Sequence, residues 1–250
     1  MVSRCAAALV AAIALACSTP RENAPRQTES ETEDARSEAP MMKARPGDGF
    51  LSPNAEDLDG TMAYIHYVRE HMPVRVNVEL PKLAARNASR DETDAGVIDA
   101  MREWETAIQR ELPWFRLEIV RDDPDADIQV EWKTRITGDA SGWGGIGWQM
   151  VDGRLRARGR LRYATKPCNH PICQLELPQL KLLVAHEFGH TLGLNHCLDC
   201  DSAMNYSWET LGRTVVTKTD VDTIRALYEI PNGTRVDGTL MIPLRGQARR

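Results

Sequence analysis

The segment His186-Glu187-Phe188-Gly189-His190-Thr191-Leu192-Gly193-Leu194-Asn195-His196 constrains this chain more than any other feature. On a helix, His186 and His190 lie one turn apart on the same face, so both imidazoles reach one point. Gly193 stands where a left-handed residue ends such a helix. The sharp turn it permits brings His196 back as a third ligand. The chain has six histidines, and three of them fall in ligand register within this segment. Ordinary solvated or core roles for all three would not produce that register. Three neutral nitrogens with one position left open describe a catalytic zinc site rather than a closed structural one. Glu187, beside the first ligand, is placed to take a proton from an activated water without binding the ion. The other histidines, His66, His71 and His170, have no such register and read as surface or loop residues.

The elements around this segment follow from periodicity. Val74, Val76 and Val78 alternate with polar residues and predict a half-buried strand. Residues 94–109 predict an amphipathic helix, with Val97, Met101, Trp104 and Ile108 at helical spacing. Two more strands are expected, one around Phe115, Leu117 and Ile119, the other around Ile128, Val130 and Trp132. The glycine-rich stretch 141–147 reads as a bent or bulged strand region. Between 154 and 163, five arginines (Arg154, Arg156, Arg158, Arg160, Arg162) take every second position, which puts them on one face of a strand. Two readings fit that face: a solvated sheet surface, or a basic surface for acidic substrates or lipid headgroups. Residues 178–192 predict a helix that tolerates Pro178 in its first turn. A last helix is expected over 219–228, with Thr219 as N-cap. The order strand, helix, strands, helix, helix predicts an α+β domain.

The N-terminus reads as a targeting signal. Eleven small or apolar residues, Ala6 to Ala16, are too few to span a bilayer but suit a signal-peptide core. The run Ala14-Leu15-Ala16-Cys17 resembles a bacterial lipobox, in which Cys17 would be lipid-modified; plain secretion is the alternative. Either places the mature chain outside the cytoplasm, as an envelope lipoprotein or a secreted protein. The expected organisation is a signal over 1–17, a disordered tether over 18–60, a catalytic domain over 61–230 and a C-terminal tail over 231–250. The tether is polar and charged, unable to bury enough surface to offset its ordering entropy. The net charge of −5 gives no ground for nucleic-acid binding.

The extended histidine segment resembles that of the metzincins. Ser202-Ala203-Met204-Asn205-Tyr206 is similar to their Met-turn, whose methionine lies beneath the metal. Residues 217–228, the Trp104 helix and the strand Asp127-Ile128-Gln129-Val130 are similar to matrixins, and the likeness runs from about Pro73 to Ile230. The resemblance implies a twisted mixed sheet with three helices and an active-site cleft between two lobes. It implies a zinc-dependent endopeptidase acting on protein or peptide substrates as a monomer. His186, His190 and His196 would hold the zinc, with Glu187 as general base. Residues 142–149 would form the edge strand that pairs with substrate. The pocket beside the scissile bond is expected between the catalytic helix and residues 207–217. A non-catalytic zinc-stabilised binding lipoprotein and an archaemetzincin-like exopeptidase are the alternatives.

The chain also departs from matrixins. Tyr206 stands where they have proline; by resemblance to astacins and serralysins it would stabilise a developing oxyanion, or else it packs in the core. Cys197 follows the third histidine where matrixins have serine. With Cys168, Cys173 and Cys200 it makes four, read as two disulfides of open pairing or, alternatively, a second, cysteine-bound zinc. The histidines of the matrixin structural zinc have no counterpart in 138–163, so neither that zinc nor the associated calcium sites are carried over. The tether contains no cysteine switch, and Pro46-Gly47-Asp48-Gly49 reads as a plain loop.

Overall fold

The structure is a computed structural model that describes residues 50–136, 141–164, 175–197, 200–205 and 216–241. Its elements in chain order are β1 (Ala55–Glu56), β2 (Met62–Tyr64), β3 (Val74–Val78), α1 (Arg90–Ile108), β4 (Leu117–Val120), β5 (Ile128–Lys133), β6 (Gly142–Val151), β7 (Arg154–Ala164), α2 (Leu177–Thr191), α3 (Lys218–Glu229) and β8 (Thr234–Arg235). A 3-10 turn, Arg69–His71, precedes β3.

A five-stranded sheet has the order β4-β3-β5-β7-β6. β3, β4, β5 and β7 run parallel, and β6 is antiparallel to β7 at the edge. Among the described residues this gives the mixed sheet with three helices that the family resemblance implies. The valines of β3 and the Ile128, Val130 and Trp132 face of β5 are buried in one core with residues of α1 and α2. Trp104, fully buried on α1, donates from its indole Nε1 to the Ala185 carbonyl of α2 at 2.8 Å, tying the two helices together. α1 begins earlier than periodicity predicts. Ser89 caps it, and the Glu92 carboxylate returns to the Ser89 N–H.

The glycine-rich stretch is not bulged. β6 pairs one-to-one with β7 from Gly142↔Tyr163 to Val151↔Arg154. The glycines serve close approach instead. A Cβ on Gly142 would lie 2.8 Å from the Glu187 side chain, and one on Gly144 would collide with the Glu187 carbonyl oxygen. α2 therefore packs directly under the edge strand.

On β7, Ala157, Gly159, Leu161 and Tyr163 are buried while the five arginines share the outer face. Arg158 pairs with Asp127 at 3.0 Å, and Arg160 and Arg162 share Glu131 at 3.9 and 3.6 Å. The Arg162 guanidinium sits 5.3 Å from the Trp143 ring centroid. Partly exposed pairs of this kind contribute about 0–1 kcal/mol each; Asp127 and Glu131 partly neutralise the arginine face.

Three further features differ from the sequence expectation. α3 is capped by Thr217, not Thr219, because Asp220 occupies the third helical position and its carboxylate reaches back to the cap. Residues 50–60, assigned to the tether by composition, include a packed Phe50 and β1; they are short on apolar residues because their contacts are largely backbone pairing. Residues 231–241, expected to be loop, carry β8, which with β1 and β2 makes a second, three-stranded sheet.

His66 is likewise buried rather than at the surface. Its ring nitrogens lie 3.0 Å from the Tyr67 carbonyl and 2.8 Å from the Ile230 carbonyl, and it stacks on Tyr228. Among the described residues, no helix is long and apolar enough to cross a membrane. The signal, Cys17 and residues 46–49 lie outside the described residues.

Candidate metal centre

α2 supplies His186 and His190, and the turn at Gly193 supplies His196. Gly193 has φ +101°, the left-handed conformation that glycine adopts without a Cβ clash. The three Nε2 atoms converge: His190 to His196 is 3.2 Å, and His196 to His186 is 3.2 Å. All three ligand atoms lie within 4.8 Å of one another. A tetrahedron of zinc–nitrogen bonds about 2.0–2.1 Å long has edges of about 3.3–3.4 Å. The observed separations match that edge, so the donor set fits zinc.

Two of the rings are oriented from behind. His186 Nδ1 donates to the Ala203 carbonyl at 2.8 Å, and His190 Nδ1 donates to the Leu194 carbonyl at 2.8 Å. Each bond places the proton on Nδ1 and turns the Nε2 lone pair towards the shared point. Burial holds both His186 and His190 down at about 4, and lowers His196 as well. All three are neutral at pH 7, the form in which imidazole binds a metal.

Glu187 is buried beside them, under β6. Desolvation raises its carboxyl to about 7, and a hydrogen bond from the Gly144 amide opposes that rise. A carboxyl poised near neutrality can take up and release a proton at working pH.

The Met-turn closes the site from below. Met204 is fully buried, and a Cβ on Gly189 would strike its sulfur, so the methionine packs against α2 between the two helical histidines. The Cys197 amide donates to the Met204 carbonyl at 2.9 Å, which joins the turn to the chain leaving His196. Cys197 is disulfide-bonded to Cys200. That pairing takes up two of the four thiolates a second zinc would require. Cys168, Cys173, Tyr206, His170 and residues 207–215 of the expected pocket loop lie outside the described residues.

Sequence reasoning missed Asp220. It is fully buried and accepts hydrogen bonds from the Ser202 hydroxyl, the Ala203 amide (3.1 Å), the Thr217 amide (2.8 Å) and the Thr217 hydroxyl (2.8 Å). Through Ala203 it fixes the carbonyl that orients His186. Its signal in the sequence is the Thr217-x-x-Asp220 spacing of a cap box, which the expected cap at Thr219 passed over. Asp220→Ala strands four donors. It is expected to cost about 3 kcal/mol or more and to weaken zinc binding about 10- to 100-fold, as read by denaturant unfolding and chelator competition. An unchanged zinc affinity would separate Asp220 from the metal site.

Comparison with known proteins adds the following. The sequence model of the matrixin family matches residues 75–229. Human Matrix metalloproteinase-15 is 28% identical over 143 residues, covering 54% of this chain and 21% of that protein. The chain therefore spans about a fifth of the length of this relative.

Proposed function

Because this chain belongs to the matrixin family, we propose that it is a zinc-dependent endopeptidase that cuts extended protein segments laid along β6. The single observation that carries the reading is the convergence of three histidine ligand atoms within 4.8 Å of one another, with His196 Nε2 at 3.2 Å from both His186 and His190, beside a buried Glu187. When bound by His186, His190 and His196, zinc supplies a Lewis acid that lowers the pKa of water and polarises a carbonyl.

The remaining work falls to the chain. Among the described residues, β6 is the outermost strand of its sheet. An extended peptide adds to such an edge through main-chain hydrogen bonds, which holds its backbone still. Glu187 lies directly beneath that edge at Gly142 and Gly144. Its carboxylate accepts the proton of the attacking water. The same carboxyl then donates that proton to the nitrogen of the leaving amine as the peptide bond breaks. The buried walls around Glu187 exclude competing water and keep its carboxyl near neutrality. Tyr206 would steady the developing oxyanion by a hydrogen bond from its phenol.

The signal-like N-terminus and the Cys197–Cys200 disulfide support action outside the cytoplasm, with Cys17 as the proposed point of lipid attachment.

The test is metal removal. The purified chain is incubated with an unfolded protein, with and without a chelator. Internal cleavage is expected, lost on chelation and regained with stoichiometric zinc. Cleavage indifferent to the chelator would sink the metal reading. Release of terminal residues alone would replace endopeptidase with exopeptidase.

A further inference from the structure

We propose that Asn54 and Asn195 form a clasp that positions the metal centre, so that residues 50–54, which lie ahead of the family-matched region, belong to the working enzyme. The inference rests on the zinc-peptidase reading above.

The turn after α2 serves the site twice. It carries His196, and its Leu194 carbonyl accepts the proton of His190 Nδ1 at 2.8 Å. A turn at the end of a helix leaves carbonyls without helical partners and has little to hold it in one place. Here residues 50–54 hold it from outside. Asn54 Nδ2 donates to the Gly193 carbonyl and the Ile65 carbonyl, each at 2.9 Å, while its Oδ1 accepts from the Ile65 amide at 2.8 Å. Asn195, next to His196 in the chain, donates from Nδ2 to the Ser52 hydroxyl at 2.7 Å and the Pro53 carbonyl at 2.9 Å.

The segment is itself pinned at both ends. The Phe50 amide donates to Thr223 Oγ1 on α3 at 3.2 Å, and the Asn54 amide donates to the Ala63 carbonyl at 3.0 Å. The fit at the turn is close: a Cβ on Gly193 would come within 2.6 Å of Asn54 Nδ2.

Chemistry selects asparagine at 54. Its amide offers two donors and an acceptor on one rigid plane, and all three directions are used. Aspartate would turn an oxygen towards the Gly193 and Ile65 carbonyls, and alanine would leave both carbonyls and the Ile65 amide unanswered. The clasp thus fixes His196 through Asn195 and Gly193, and orients His190 through Leu194. Asn54 and Asn195 are positioning residues; neither reaches the metal.

The test uses the full chain with Asn54→Ala, Asn54→Asp and Asn195→Ala. Ser89→Ala, at the distant cap of α1, serves as a control for general loss of stability. Zinc affinity is measured by chelator competition and stability by denaturant unfolding. Asn54→Ala and Asn195→Ala are expected to weaken zinc binding about tenfold. Asn54→Asp should not restore it, and Ser89→Ala should leave it unchanged at a comparable loss of stability. At saturating zinc, kcat should fall with KM held. Should Asn54→Ala fail to fold, Asn195→Ala still reports, since it leaves every Asn54 bond in place. Parent-like zinc affinity in both alanine variants would overturn the clasp, as would a proportional loss in Ser89→Ala. An unmodified chain that takes up no zinc would overturn the peptidase reading and the clasp together.

Discussion

Glu187→Gln is expected to lower peptide hydrolysis by about 10²- to 10⁴-fold with one zinc still bound. Glutamine keeps the size of the side chain and the oxygen that faces the Gly144 amide, but it cannot accept the proton of the attacking water. The three histidines are untouched, so zinc content should match that of the unmodified chain. If both forms bind zinc and both cleave at similar rates, Glu187 is not the base. If both bind zinc and neither cleaves, the fold serves binding, or the substrate is narrower than a generic unfolded protein.

The same substitution carries a pH signature in the chelated protein. In the folded chain the Glu187 carboxyl sits at about 7, against an ordinary 4.5, because burial disfavours its charge. The folded-state value is raised, so the neutral acid's contribution is complete below pH 4.5 and is lost as pH rises through 7. That gap corresponds to roughly 3 kcal/mol at pH 8. Chelated Glu187→Gln should therefore be more stable than the chelated parent at pH 8, by up to about that amount. The two should converge at pH 4, since protonation of the histidines affects both alike. Unfolding curves at the two pH values decide it; a difference independent of pH would show that Glu187 carries no buried charge.

Gly144→Ala is the second large effect, and here the cause is steric. The added Cβ would collide with the backbone carbonyl oxygen of Glu187, an atom fixed within α2. Either β6 lifts from the helix or the helix end moves. Overpacking of this kind costs about 1–3 kcal/mol. The larger loss is expected in activity. A misplacement of about 1 Å between groups that must act together can cost about 100-fold, and Gly144 ties the edge strand to the Glu187 carboxylate. Gly147→Ala, on the same strand, is the contrast: its Cβ would meet only the Arg158 carbonyl, at 3.9 Å. It should stay within about 0.5 kcal/mol of the parent and keep its activity. Equal losses in the two variants would mean that glycine is needed for strand conformation rather than for contact with Glu187.

Much of this site was legible in the sequence. Ligand spacing in a helix is a local property: His186 and His190 meet because four residues make about one turn, and Gly193 turns the chain because it lacks a Cβ. The Val74–Val78 strand, the Trp104 helix and the alternating arginines were legible for the same reason, each being a period along the chain.

What escaped the sequence was set by contacts between distant segments. Gly142 and Gly144 read as a bulge because glycine usually marks irregular backbone, whereas their purpose is to let α2 come close at Glu187, far along the chain. His66 read as a surface residue, yet its partners at Tyr67 and Ile230 bury it. Asp220 leaves no period to read: Thr217 supplies two of its donors locally, and only the packing of α3 beside the Met-turn adds Ser202 and Ala203. Residues 50–60 read as part of a tether because their hold is backbone pairing and asparagine amides rather than apolar burial.

The sequence by itself determined which imidazoles come to one point and which carboxyl stands beside them, because those depend on residue type and helical pitch. Only the tertiary structure decided what holds those atoms still. A hydrogen bond such as Asn54 to Gly193 spans 139 residues and leaves no period in the chain to read.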